Sequence, residues 1–495
     1  MADAESSNNN QWKTLDKDLK RWVLLEQATQ SVARPYVAIG VALIFVILTG
    51  LATAAFSGAG SKTFVMAGAA VLGAYMALNI GANDVANNMG PAVGANALTM
   101  GGALIIAAVF ETAGALIAGS DVVATISSGI VDPAAVAEPT IFIRAMLASL
   151  IAASLWLNIA TWLGAPVSTT HAIVGGVAGA GIVAAGFGAI NWSTMQSIIA
   201  SWVISPFMGG ILAALLLAFI RVTLNNPDDK IAAARFWVPI LVGIMAGTFS
   251  TYLAMKGLQN VLTISLGGGL ALGVVIGIAF WAIFRPIVRR QSRNLPNHKH
   301  SLKPLFSIPL IAAAALLSFA HGANDVANAV GPLAAIVHTV QNYNTVGGSV
   351  TVPLWVMLIG AFGISFGLLL FGPRLIRMVG QEITKLNQMR AWCVALSAAV
   401  TVIIASALGL PVSSTHIAVG GVFGVGFYRE WDAERRARKR VGVKDGRPPL
   451  TSEERQRRKL VRRSHVLSIA AAWVITVPLT ALLSAFVFWL LTMID

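Results

Sequence analysis

The sequence predicts an all-α polytopic membrane protein made of two inverted-topology repeats with broken or re-entrant helices, about 11–13 membrane segments in all. Three observations carry that prediction. Apolar residues make up 56% of the chain and charged residues only 11%. Many apolar runs reach the ~20 residues a spanning helix needs. One polar stretch also occurs twice: Gly81-Ala82-Asn83-Asp84-Val85-Ala86-Asn87-Asn88-Met89-Gly90-Pro91 returns 241 residues later as Gly322-Ala323-Asn324-Asp325-Val326-Ala327-Asn328-Ala329-Val330-Gly331-Pro332, identical at nine of eleven positions.

Taken in order, residues 1–63 form a cytoplasmic segment of mixed charge followed by a first helix over 36–57. That apolar run is long enough to stay as a helix, so no cleavable signal is expected. Residues 64–221 form the first repeat, with apolar runs at 64–80, 102–119, 140–163 and 196–221. Residues 222–304 have no counterpart elsewhere; they add two peripheral helices, at 237–256 and 261–284, and a basic cytoplasmic linker. Residues 305–495 form the second repeat, with runs at 305–321, 350–371, 391–410 and 465–493 and a cytoplasmic loop at 429–463. Two stretches rich in Gly, Ser and Thr, 164–190 and 411–428, read as crossings that are irregular inside. A β-barrel would instead show short alternating segments.

The duplication extends well beyond the opening motif. Gly164-Ala165-Pro166-Val167-Ser168-Thr169-Thr170-His171 recurs as Gly409-Leu410-Pro411-Val412-Ser413-Ser414-Thr415-His416, and Trp202-Val203-Ile204 as Trp473-Val474-Ile475. Loop charge orients the two copies. Residues 429–463 hold fourteen Lys or Arg against six acids, whereas the matching 185–195 holds no charge. The linker 285–304 carries six basic residues and no acid. Corresponding loops that differ in positive charge face opposite sides of a membrane, which makes the repeats inverted and places 285–304 and 429–463 inside. Helix counting then puts the N-terminus inside and the C-terminus outside. The net charge of +14 therefore marks topology and contact with membrane lipids, not nucleic acid. A single Cys393 excludes an intramolecular disulfide and a Cys metal cluster.

Polar groups within hydrocarbon are costly and mark function. Glycines at both ends of the duplicated motif and proline at its exit make an unbroken helix unexpected there. Two interruptions in matching halves are the pointer to a transporter's binding site. Pro166 and Pro411 suit the first turn of a helix, whose free N–H groups form an anion site. The hydroxyls of Ser168, Thr169, Thr170, Ser413, Ser414 and Thr415 add donors without any Lys or Arg. A single hydroxyl cluster is more often packing between helices, but this one is duplicated beside a duplicated buried acid.

Asp84 and Asp325 would repel an anion unless they hold a cation, take a proton, or accept the O–H of a partly protonated oxyanion. The last case favours phosphate over sulfate, because a site built around one hydrogen bond rejects analogues lacking it by about 10⁴–10⁵. His171 and His416 either relay protons or pin the turn through a carbonyl. Glu111, in the middle of a helix, is a further proton-relay candidate with Ile364 as its counterpart. His321 matches Ile80 and is expected to matter less.

These motifs resemble those of the inorganic phosphate transporter (PiT or PHO4) family over about 64–221 and 305–493. The resemblance implies low-affinity secondary uptake of orthophosphate by an inverted-repeat protein, commonly a homodimer. It implies that Asp84, Asn87, Asp325, Asn328 and the two Ser/Thr clusters bind phosphate, and that Asn83, Asp84, Asn324 and Asp325 hold the coupling cation. Animal members couple to Na⁺. The Ala-His-Gly-Ala-Asn-Asp wording of the second motif is more similar to bacterial members, which sit in the inner membrane and typically use H⁺. Those members can take phosphate as a neutral complex with Mg²⁺ or another divalent metal. No cofactor is expected. The alternatives are a transporter of another oxyanion such as sulfate and, from a different class, a membrane-embedded phosphatase. Neither motif shows the metal cluster, nucleophile or Arg-lined pocket that a phosphatase needs.

Overall fold

Eleven helices among the described residues are long and apolar enough to cross a membrane. The structure is a computed structural model that describes residues 36–58, 60–136, 138–163, 167–257, 264–342, 350–378, 386–441 and 463–493. The N-terminal segment to 35, residues 164–166 with Pro166, and most of 429–463 lie outside them. In chain order the helices are α1 (Tyr36–Ser57), α2 (Ser61–Gly94), α3 (Met100–Ala118), the short α4 (Ser120–Ala124) and α5 (Pro139–Leu163). Next come α6 (Thr169–Ala185), α7 (Trp192–Ile220), α8 (Lys230–Tyr252), α9 (Leu266–Gln291) and the one-turn α10 (Leu302–Leu305). The remainder are α11 (Ser307–Asp325), α12 (Ala327–Gln341), α13 (Leu354–Met378), α14 (Gln388–Ala407), α15 (Ser414–Val441) and α16 (Arg463–Thr492).

Three expectations about backbone are corrected. The first motif is not broken: α2 runs 34 residues through Gly81, Gly90 and Pro91. The second motif is interrupted only at Val326, which keeps helical dihedrals of φ −56 and ψ −31. Proline removes one intrahelical bond, but away from water every other backbone group still has to be paired, so continuing the helix is the least costly path. Within the stretches 164–190 and 411–428, α6 and α15 are ordinary helices once they have begun. Their first turns do not start at proline. Pro411 precedes α15 by three residues, and Ser168 caps α6 by accepting the His171 N–H at 3.2 Å. Ser413 accepts the His416 N–H at 3.4 Å in the same way. A serine hydroxyl satisfies an orphan N–H that proline cannot.

The helices of the two repeats pack reciprocally. α2 lies on α13 as α3 lies on α11, and α6 lies on α16 as α15 lies on α7. The closest crossings use glycine at matching positions. A methyl at Gly81 would collide with the Ile364 carbonyl, and one at Gly322 with the Glu111 carbonyl. Residues that correspond in sequence touch each other: the Thr112 and Ser365 hydroxyls are 2.6 Å apart, and the His171 and His416 rings are 4.6 Å apart, edge to face. The peripheral pair α8 and α9 packs mainly on itself, and α9 leaves a long apolar surface for lipid.

One end of the bundle gathers basic loops. Gly94 and Ala95 at the end of α2, Asn225 after α7, Lys303 of α10 and Arg390 of α14 line one cavity. Asn297 of the linker accepts the Lys230 N–H at 2.9 Å, and Arg221 at the end of α7 pairs with Asp432 of α15. The end of α2 and the start of the α10–α11 segment therefore share a face. Asp121, paired with Lys256 at 2.5 Å, belongs to a different group of loops.

Candidate functional site

Because α2 is helical throughout its motif, Asp84, Asn87 and Asn88 project from one face, spaced i, i+3 and i+4. Asp325 and Asn328 repeat the first two of these positions at the α11–α12 junction. Both carboxylates are buried, with 3% and 1% of their residues' surface exposed. The capped starts of α6 and α15 converge on them, and each brings a pair of hydroxyls into a turn that carries partial positive charge.

The contacts are strongly mutual. The Thr169 hydroxyl donates to Asp84 Oδ2 at 3.0 Å, and its counterpart, the Ser414 hydroxyl, donates to Asp325 Oδ2 at 3.4 Å. Asn87 Nδ2 donates to the Thr415 hydroxyl at 2.8 Å, and Asn328 Nδ2 to the matching Thr170 hydroxyl at 3.1 Å. Asn328 also reaches the Thr169 hydroxyl at 3.3 Å, and Thr170 bonds the Val412 carbonyl at 3.0 Å. Thr415 of the second half donates across to Asp84 Oδ1 at 3.0 Å. Each motif is thus completed by the hydroxyl cluster of the other half.

The symmetry is broken by three polar residues that meet. Asn88 (against Ala329) donates to Glu111 Oε1 at 2.9 Å. Glu111 (against Ile364) lies 3.3 Å from His321 Nδ1. His321 (against Ile80) places Nε2 3.0 Å from Asp325 Oδ2 and 3.9 Å from Asp84 Oδ2. The imidazole is completely buried and links three carboxylates. Asp325 Oδ1, Asn328 Oδ1, Glu111 Oε2 and Asn88 Oδ1 are buried there without hydrogen-bond partners among the described residues. A site left with that many open acceptors is suited to protons or to a cation. Asp84, His321 and Asp325 offer three ligand atoms within 4.8 Å of one another, a spacing that a metal ion can bridge.

Sequence reasoning discounted His321 because its counterpart is isoleucine, and it passed over Asn88. No sequence signal joins them: Asn88, Glu111 and His321 fall on α2, α3 and α11, whose packing together appears only in the folded chain.

Other expected residues are placed elsewhere. Asn324 donates to the Ser406 hydroxyl at 2.9 Å and to the Leu410 carbonyl at 3.1 Å, while its oxygen accepts the Val412 N–H at 3.1 Å. Asn83 binds the Asn79 carbonyl at 2.9 Å and accepts from Thr161 at 2.8 Å. These asparagines brace the site from behind and are not directed at the carboxylate pair. Ser168 and Ser413 commit their hydroxyls to capping. His171 stacks on Trp202 with ring centroids 3.9 Å apart, and the indole N–H holds the Pro411 carbonyl at 2.9 Å. The His171–His416 pair thus sits behind the hydroxyl clusters. Its hydrogen bonds to the caps come from its backbone.

Comparison with known proteins bears on this arrangement. A family model described as "Phosphate transporter family" (PHO4) matches residues 80–484. A Helicobacter pylori protein assigned as a phosphate permease is 43% identical over 97% of this chain and 99% of its own. The chloroplastic inorganic phosphate transporter 2-1 of Arabidopsis thaliana is 36% identical, covering 88% of this chain and 73% of that protein. A solved structure named as the sodium-dependent phosphate transporter superposes with a TM-score of 0.77 at 35% identity, covering 87% of this chain and all of that one.

Proposed function

The chain belongs to the phosphate transporter family, a family of multi-pass transporters and not of enzymes, and from that premise we propose that it is a symporter importing inorganic phosphate by alternating access. The observation that carries the proposal is the crossed pair of contacts in which Thr415 of one half holds Asp84 of the other while Asn328 holds Thr169 and Thr170. A site that needs both halves is assembled or opened when one half moves against the other. Its residues are buried here, so phosphate enters or leaves only when that contact loosens.

In this reading the two halves are inverted repeats, 64–221 and 305–495, with 285–304 and 429–463 cytoplasmic in a plasma membrane. The end of α2 beside the start of the α10–α11 segment, and the basic loops at one face, support it. Phosphate sits between the two capped helix starts and takes hydrogen bonds from Thr169, Thr170, Ser414 and Thr415 and from the amides of Asn87 and Asn328. Asp84 or Asp325 accepts the proton that phosphate carries near neutral pH and sulfate does not, which selects between these oxyanions. The coupling ion is H⁺, held along Asp325, His321 and Glu111, because an imidazole linking carboxylates is a proton site. Coupling to Na⁺ is the second reading, favoured by the name of the similar solved structure. The Asp84–His321–Asp325 spacing also leaves room for a divalent metal to travel with phosphate as a neutral complex. By likeness to its family the chain assembles as a homodimer.

Purified protein in liposomes tests this directly. Labelled phosphate should accumulate under an imposed pH gradient without Na⁺, with sulfate a poor competitor, and the effect of Mg²⁺ reports on the metal complex. Accumulation driven only by a Na⁺ gradient would replace H⁺ by Na⁺ as the coupling ion. Failure to accumulate phosphate under either gradient would reject the symporter.

A further inference from the structure

The cavity at the basic face has a volume of about 860 Å³, within the range of pockets that hold whole small molecules. Its cationic lining is Lys299, His300, Lys303 and Arg390. Among the described residues no carboxylate lines it, and none of these four side chains makes an ion pair or a side-chain hydrogen bond. Arg390 and Lys303 are half-buried, where an unpaired cation is costly, so the cavity is built for a negative guest. The start of the 20-residue α14 opens into it through Gln388, adding the positive end of a helix dipole. Asn225, whose side-chain oxygen is buried without a partner, lines the same space and can accept the O–H of a protonated oxyanion.

We propose that this cavity is a second binding site for a phosphate group, separate from the buried aspartate pair. Ten residues of α2 separate Asp84 from Gly94 at the cavity wall, roughly 15 Å at 1.5 Å per residue. A phosphate group here lies at the mouth of the path along α2 and does not share ligands with the inner site. Its occupant is either free inorganic phosphate or the headgroup of an anionic lipid, since a cavity among the basic loops at one end of a membrane bundle is within reach of both. The chemistry of the lining stands without the transport reading; only the word mouth depends on it.

The test uses the full-length protein in nanodiscs. An amine-reactive reagent, read residue by residue by mass spectrometry, reports on Lys299 and Lys303 with no variant required. In phosphatidylcholine discs, inorganic phosphate should slow labelling of both lysines several-fold where chloride of equal ionic strength does not. It should do so equally in Asp325→Asn, which separates this site from the inner one. Protection by phosphatidylglycerol in the absence of added phosphate would identify the lipid headgroup as the source. Arg390→Gln should weaken protection at both lysines in whichever arm shows it, and Arg390→Lys should largely restore it. The proposal is overturned if neither phosphate nor phosphatidylglycerol protects the two lysines beyond chloride. It is equally overturned if phosphate protection disappears in Asp325→Asn without any lipid protection.

Discussion

The two copies of the duplicated motif share nine of eleven residues yet stand in different chemical surroundings. Asp84 has both carboxylate oxygens held by threonine hydroxyls, one from each half. Asp325 receives a longer serine contact, leaves Oδ1 unpartnered, and leans on His321, which Glu111 and Asn88 back from the other side. Shared sequence therefore builds a common frame of acids and hydroxyls, while Asn88, Glu111 and His321 collect on one side of it. Under the proposed function this is a division of labour: symmetry for binding, its local loss for coupling.

The sharpest way to break that comparison is to neutralise each aspartate. Asp84→Asn and Asp325→Asn should both lower phosphate uptake into proteoliposomes roughly hundredfold or more, because each removes a buried charge at the point where the two halves meet. Uptake retained by either variant, in protein that elutes as the wild type does, would deny that both halves build the site. Next come the residues that only one half possesses. Glu111→Gln and His321→Gln should abolish the stimulation of uptake by a pH gradient while leaving phosphate–phosphate exchange near the wild-type level. Equal loss of both would make this chain part of the binding frame.

The frame can then be probed from behind. Asn324→Ala should cost more thermal stability than Asn83→Ala. Asn324 is fully buried and makes three hydrogen bonds, and leaving its partners unsatisfied costs about 1–3 kcal/mol each. Differential scanning of the purified variants reads the order. The smallest contrast lies in the hydroxyls. Thr415→Val removes a 3.0 Å bond to a carboxylate, an interaction worth about 1.5–3 kcal/mol, or roughly tenfold to hundredfold in affinity if phosphate uses the same hydroxyl. Ser414→Ala, whose bond is 3.4 Å, should weaken phosphate binding less. The reverse order in isothermal titration would say that Asp325, not Asp84, is the better-held acid.

Much of this was legible before any coordinates. The aspartates, the asparagines three residues after them and the two hydroxyl clusters stood out because polarity inside hydrocarbon is costly and duplication by chance is not credible. What misled was the backbone. Gly and Pro suggested a break, but packing against α13 and the need to pair every amide keep α2 helical through Pro91. That error carried another with it. On a continuous helix Asn83 is turned about 100° from Asp84 and cannot share its face, whereas Asn87 and Asn88 can. The link between His321 and Glu111 was hidden for a different reason. Their encounter spans 210 residues of sequence and depends on the reciprocal packing of α3 and α11, which no local pattern announces.

The account rests on phosphate lying between the two hydroxyl clusters, and a cryo-electron-microscopy map of phosphate-loaded protein in nanodiscs examines that directly. It should place a tetrahedral density within hydrogen-bond distance of Thr169, Ser414 and Thr415, flanked by Asp84 and Asp325. Phosphate density found only elsewhere, with the aspartates still closed on the protein's own hydroxyls, would contradict it.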